Sequence, residues 1–178
     1  KVLVSGGGRC NVTHACFDVQ ELCGFYPRGS KELMGPFFSF QPQDTMEWFQ
    51  QRGVDLKIES DGRVFPVSDV SKSIADCLVS EAERLGVRIW TGCGVDGISK
   101  QGGCFHVSYG DGELVCQKVV LATGSSRLGY RLAEQCGLSL IDPVPSLFTF
   151  KIQDPALHVL QGLSVGGASV WLEGYAKY

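Results

Sequence analysis

The sequence predicts an α/β fold with a partly parallel sheet, and three observations predict it. The chain opens on a short apolar run, Val2-Leu3-Val4, that empties through Ser5 into Gly6-Gly7-Gly8. A helical repeat over residues 71–85 is stopped by Gly86 and followed at once by the strand-like Val87-Arg88-Ile89-Trp90. Helix, glycine, strand in that order is half of a βαβ unit, and such a crossover joins parallel strands. A second continuous apolar run, Val119-Val120-Leu121-Ala122, has the pattern of a strand buried on both faces and leads into Thr123-Gly124 and another helix.

The elements follow in order. Residues 2–4 read as a buried strand. Residues 11–40 are punctuated by Pro27, Gly29, Gly35 and Pro36 and read as irregular, with room for one short helix after Asp18. A helix is predicted over 45–52, with Asp44 as N-cap, Glu47 closing a capping box and Gly53 ending it. Trp48 and Phe49 supply its core contacts. Residues 54–59 and 63–66 read as two short strands joined at Ser60-Asp61-Gly62. In the helix over 71–85, Ile74, Cys77, Leu78, Ala82 and Leu85 recur at helical spacing. Short strands are predicted near 95–99, 104–109, 113–117 and 118–122. Phe105, Val107 and Tyr109 alternate with His106 and Ser108, as in a half-buried antiparallel strand. A helix over 128–136, with Leu132, Ala133 and Cys136 inward, stops at Gly137. Pro143-Val144-Pro145 reads as a crossover between domains, with β-like runs near 148–152 and 169–172 beyond it. The predicted organisation is residues 1–145 as one domain and 146–178 as the start of a second, β-rich one.

The composition is that of a globular chain: 44% hydrophobic and 20% charged residues in 178. Such a chain hides roughly 70% of its unfolded surface. A net charge of −3, without a basic block, argues against a nucleic-acid or acidic-membrane partner. No apolar run reaches membrane-spanning length. Eight cysteines, at 10, 16, 23, 77, 93, 104, 116 and 136, form no C-x-x-C pair and no zinc spacing. They sit mostly in apolar segments, which predicts reduced thiols in an intracellular compartment, cytoplasmic or organellar, and no metal site. The sequon Asn11-Val12-Thr13 is then accidental. Lys1 falls inside a strand pattern, so the true N-terminus is expected upstream.

Two glycine-bearing strand ends carry the functional signal. After the first strand, bare backbone at Gly6-Gly7-Gly8 admits close approach of a ligand, and glycine tolerates φ > 0 there. Arg9 adds a permanent charge and Asn11 a donor and acceptor. The set suits a phosphate or other anionic ligand, while a glycine-rich turn between strands fits the same residues. The second end is Ala122-Thr123-Gly124. In open α/β sheets ligands sit beyond the carboxyl ends of strands. Neither end matches G-x-G-x-x-G, and no Walker lysine is present.

The run from Val2 through Ser5-Gly6-Gly7-Gly8-Arg9-Cys10-Asn11 to Thr13 resembles the signature of the FAD-dependent oxidoreductases called the BaiN or YhiN-like, aminoacetone-oxidase-like family. Gly62-Arg63-Val64-Phe65-Pro66-Val67-Ser68, Gly86-Val87-Arg88-Ile89, the run 119–124, Gly129-Tyr130-Arg131-Leu132-Ala133 and Pro143-Val144-Pro145-Ser146-Leu147 follow in the family's order. The resemblance covers nearly the whole chain. It implies a partial Rossmann-like FAD domain of the glutathione-reductase type, a parallel sheet plus a β-meander. It also implies an FAD cofactor reduced by NAD(P)H and a small-molecule substrate. FAD would be held by Ser5, Gly6, Gly7, Gly8, Arg9, Cys10 and Asn11, by backbone near Val95, and by Ala122, Thr123 and Gly124. The family's opening G-x-G-x-x-G segment and its closing flavin-contacting segment are absent here, which marks the chain as the middle of a longer protein, inactive alone. The stretch after Gly124 is shorter than in many members.

No side-chain catalyst is required where flavin carries the redox chemistry. His14 near the glycines and His106 in the alternating strand read as solvent-facing. Cys10, lacking a partner cysteine, reads as packing. Arg9 is the strongest single candidate, to stabilise pyrophosphate or reduced flavin; its alternative is a salt bridge to a nearby acid. A non-catalytic nucleotide-binding or scaffold domain is the competing function.

Overall fold

The computed structural model describes residues 1–144 and 153–159. The chain divides into two compact units, Lys1–Gly92 and Cys93–Tyr178. The boundary expected after residue 145 and the strands expected at 148–152 and 169–172 lie outside the described residues.

The first unit is built around a three-stranded antiparallel sheet in the order β1-β3-β2: β1 (Thr13–His14), β2 (Leu56–Ile58) and β3 (Arg63–Pro66). Ile58 faces Val64 and Lys57 faces Phe65 across the hairpin, while Thr13 pairs with Val64 on the other side. The hairpin forms where Asp61-Gly62 stands: Gly62 takes φ 81°, and its N–H donates to Glu59 O at 2.9 Å. Central strand β3 carries the core, with Val64 and Phe65 at 0% exposure.

Four helices complete the unit. α1 (Val19–Gly24) starts at Asp18, whose carboxylate accepts from Glu21 N at 2.8 Å. α2 (Ser30–Ser39) was not expected, because Gly35 and Pro36 read as breaks. The helix tolerates Pro36 and closes beyond it, with Phe40 N donating to Pro36 O at 2.9 Å. α3 (Pro42–Gln50) begins earlier than predicted: Pro42 occupies the first turn, and Asp44 accepts from Gln41 N at 2.8 Å instead of serving as N-cap. α4 (Ser71–Arg84) matches its prediction, with Gly86 at φ 71° beyond its end. Phe49 of α3 and Ile74 of α4 form a core cluster with Cys10.

The second unit holds an antiparallel meander, β4 (Gly97–Gln101), β5 (Cys104–Tyr109) and β6 (Gly112–Cys116), and then α5 (Arg127–Gln135). Gly102 (φ 56°), Gly103 (φ 84°) and Gly110 (φ 49°) make its turns. The Gln135 side chain of α5 accepts from Ile98 N at 3.1 Å, which ties the helix to β4. Leu132 and Ala133 face inward, and Gly137 follows the helix at φ 80°, as expected. α6 (Pro155–His158) is the last described element.

Three apolar runs are corrected. Residues 2–4 are not a strand but part of a kinked 3-10 stretch, Val2–Gly8. Residues 87–90 and 118–122 have no regular structure. All described ladders are antiparallel, so the parallel pairing expected for these runs does not occur among the described residues. None of these runs has a ladder partner among the described residues. A strand satisfies its N–H and C=O groups only across a ladder. Val4 and Ser5 instead donate back to Lys1 O, both at 3.0 Å. Among the described residues no helix is long and apolar enough to cross a membrane.

Candidate functional site

The site begins with backbone shape. Ser5 is extended (φ −72°, ψ 153°), Gly6 and Gly7 lie in the left-handed region (φ 56° and 67°), and Gly8 follows at φ 84°. Cys10, a residue with a side chain, also takes φ 65°. Such a conformation costs about 1–2 kcal/mol, and strained residues of this kind cluster at functional sites.

The three glycines do different work. A methyl group at Gly6 would lie 2.9 Å from Asn11 N and 2.9 Å from Phe65 Cε1, so Gly6 lets the turn close on the core. At Gly7 and Gly8 a methyl group would meet nothing within 4 Å. Packing therefore does not explain these two, and they offer open, side-chain-free backbone. Asn11 braces the turn against the sheet: with its amide oriented to suit its neighbours, Nδ2 donates to Thr13 O at 2.9 Å and Val64 O at 3.2 Å. Arg9 N and Cys10 N donate to Gly6 O at 3.3 Å and Ser5 O at 3.0 Å, so those two N–H groups are spent inside the turn. Ser5 Oγ donates to Val2 O at 3.1 Å.

Arg9 is held by acids. Its Nη1 donates to Glu59 at 2.5 Å and to Asp69 at 3.4 Å, and its guanidinium stacks 3.9 Å from the centroid of the buried Phe65 ring. The hydrogen bond that Arg9 donates to Glu59 is the main cause that raises the Arg9 pKa above its usual value. Lys57 also pairs with Asp69, whose carboxyl is held low mainly by that hydrogen bond. Of the two readings of Arg9, the ion pair is the one this arrangement displays. Glu59 and Asp69 flank the Gly62 motif, and sequence reasoning missed both. Their contacts with Arg9 join residues 50 and 60 positions apart, so no local signal marked them.

Cys10 lies in the core beside Phe49 and Ile74, a packing role. His14 Nε2 is 3.2 Å from Asp61 O, and its ring packs against Phe25. His106, expected to face solvent, is half-buried, with Nδ1 3.1 Å from Glu113. Among the described residues no group of His, Cys, Asp and Glu could hold a metal.

In the second unit, Val95 is half-buried just before β4, where Asp96 N donates to Ser108 O at 2.8 Å. Ala122, Thr123 and Gly124 form an exposed bend leading to α5, with Gly124 at φ 62°. Residues 5–11 thus share one turn of the first unit, and Val95 and 122–124 belong to the second.

The described residues combine helices with two small antiparallel sheets, an α/β protein in composition, and the Rossmann class comes from the sequence match. The chain belongs to the HI0933-like protein Rossmann domain family, which it matches over residues 1–171. It is 28% identical over 172 residues to a ribosomal RNA dihydrouridine synthase of Escherichia coli K12, covering 92% of this chain and 42% of that protein. It is 29% identical over 161 residues to a 3-dehydro-bile acid delta(4,6)-reductase of Clostridium scindens, covering 86% of this chain and 38% of that protein. A Haemophilus influenzae ribosomal RNA dihydrouridine synthase is 25% identical over 179 residues, covering 93% and 44%. The chain spans less than half the length of these curated relatives.

Proposed function

We propose that this span is the central part of an FAD-dependent oxidoreductase that takes reducing equivalents from NAD(P)H and saturates a double bond in a small-molecule substrate. The observation that carries the reading is the open backbone at Gly7 and Gly8, in a turn whose other members are all braced. Exposed main chain with no side chain in the way admits the close approach of a cofactor's pyrophosphate or ring edge. The relatives' names support the direction of chemistry: one is a delta(4,6)-reductase, and the others make a dihydro product. Both names describe adding hydrogen across a double bond.

FAD, when bound, supplies the hydride and electron transfer. The chain's own residues position it. Gly7 and Gly8 would present main chain to it, and Asn11 and Ser5 fix the curvature of the turn. Arg9, balanced by Glu59 and Asp69, braces the turn from behind Phe65. With 16 basic against 19 acidic side chains the span offers no surplus of positive charge for RNA, which supports a small-molecule substrate.

The test is the colour of the intact protein. A bound yellow chromophore, bleached anaerobically by NADH or NADPH, is expected. Gly7→Val places a branched side chain in the open face and is expected to lower the flavin content severalfold. A colourless protein that still binds ADP would favour a non-catalytic nucleotide-binding domain. Wild-type flavin content in Gly7→Val would remove the turn from the site.

A further inference from the structure

We propose that the side chain of Thr123 is a docking peg and not a cofactor contact, and that Gly129 is the positioning residue that receives it. The proposal rests on the reading of residues 122–124 as a cofactor-contacting bend.

Gly129 lies near the start of α5 and is buried. Its backbone is helical, so conformation alone does not call for glycine. A glycine inside a helix costs about 1 kcal/mol relative to alanine, which leaves its presence to be explained. Space explains it. A methyl group at 129 would overlap Thr123 Oγ1 and lie 2.8 Å from Thr123 Cβ and 3.3 Å from its Cγ2. The nearest atoms to the missing side chain are thus the three side-chain atoms of one residue, Thr123. That side chain fills the notch which glycine leaves in the helix.

Two consequences follow. Thr123 is β-branched, so its χ1 is stiff, and seating both branches against a helix fixes the backbone of the bend as well. Gly124 then reverses the chain at φ 62°. With the Thr123 side chain turned to α5, what the exposed bend offers a ligand is main chain, not the hydroxyl. The arrangement is the second unit's counterpart of Gly6, where a missing Cβ also lets a turn settle on its support.

The experiment uses the intact protein and three variants, reading flavin affinity by fluorescence quenching and the exchange of amides 122–124 by hydrogen–deuterium exchange. Gly129→Ala is expected to weaken flavin binding about tenfold and to speed exchange in the bend. Thr123→Val keeps the shape and removes the hydroxyl, and is expected to bind flavin within about twofold of wild type. The reciprocal swap Gly129→Ala with Thr123→Gly is expected to recover part of the lost affinity. The proposal is overturned if Gly129→Ala binds and exchanges like wild type. It is also overturned if Thr123→Val loses as much affinity as Gly129→Ala, since the hydroxyl would then be the contact. If Gly129→Ala does not fold, a folded swap with restored affinity supports the peg and a folded swap without it overturns the peg. A wild-type protein that binds no flavin overturns the preceding functional reading instead. The peg then stands or falls on the exchange of the bend.

Discussion

At the scale of the residue, Glu81 is where charge and stability meet most directly. Its side chain is only 10% exposed and receives Arg84 Nε at 2.7 Å and Arg52 Nη2 at 2.7 Å. Arg52 in turn stacks 4.0 Å from the Trp48 ring and donates to Trp48 O at 2.9 Å, so Glu81 links α4 to the end of α3. The hydrogen bonds from Arg84 and then Arg52 pull its carboxyl from 4.5 down to about 2. A carboxyl depressed on folding stabilises the folded state fully above its unfolded pKa, and that contribution disappears as pH falls through the folded pKa. Unit stability, followed by urea denaturation, is therefore expected to decline between pH 4.5 and pH 2. Glu81→Gln is expected to be less stable at pH 7 and to show a shallower decline in that window. A variant with the same slope as wild type would take Glu81 out of the acid transition. Arg9 differs in kind: both of its acids are shared, Glu59 with Arg63 and Asp69 with Lys57, and the network anchors the turn.

At the scale of the element, what the sequence made legible was whatever carries its own signal. α4 and α5 were readable because an apolar stripe and a terminal glycine both lie within the segment. The Asp61-Gly62 hairpin and the β5 alternation were readable for the same reason. α3 was readable in existence but not in its start. Asp44 fits an N-cap by type, yet Pro42 is pre-set for the first helical turn and moves the start upstream. The carboxylate then caps from the third helical position, accepting from Gln41 N. Asp44→Ala is expected to cost about 1 kcal/mol in chemical denaturation, the usual worth of such a cap. Asp44→Asn, which keeps the acceptor, is expected to recover most of it; equal losses in both would assign the effect to charge. α2 was unreadable because Gly35 and Pro36 break local rules that tertiary contacts with α1 override. Of the candidate site, the turn at residues 5–11 was legible from its glycines. Glu59, Asp69 and Gly129 were not, because each gains its meaning from a contact distant in sequence or from a missing atom.

At the scale of the whole molecule, the runs that failed to form strands share a pattern. They are short runs rich in apolar residues, and they are exposed: Leu3 57%, Val4 77%, Val87 54%, Ile89 53%, Trp90 49% and Val120 86%. Burying a Val, Leu or Ile side chain is worth about 1.5–3 kcal/mol, so leaving several in water is a large unrealised stabilisation. Small scattered apolar residues on a surface are ordinary, but contiguous ones mark a place where something else packs. In each curated relative the matched span is less than half of the polypeptide, 42% and 38% in two of them. The chain that packs against these runs is expected in the remainder. The 178-residue polypeptide alone is therefore expected to bind an apolar dye such as ANS strongly and to exchange the amides of residues 87–90 and 119–122 rapidly. In the intact protein the same amides are expected to be protected, with dye binding suppressed, because a paired strand has its N–H groups occupied. Weak dye binding and slow exchange in the short polypeptide would mean that these runs are already covered within it, and the sheet would need no further strand.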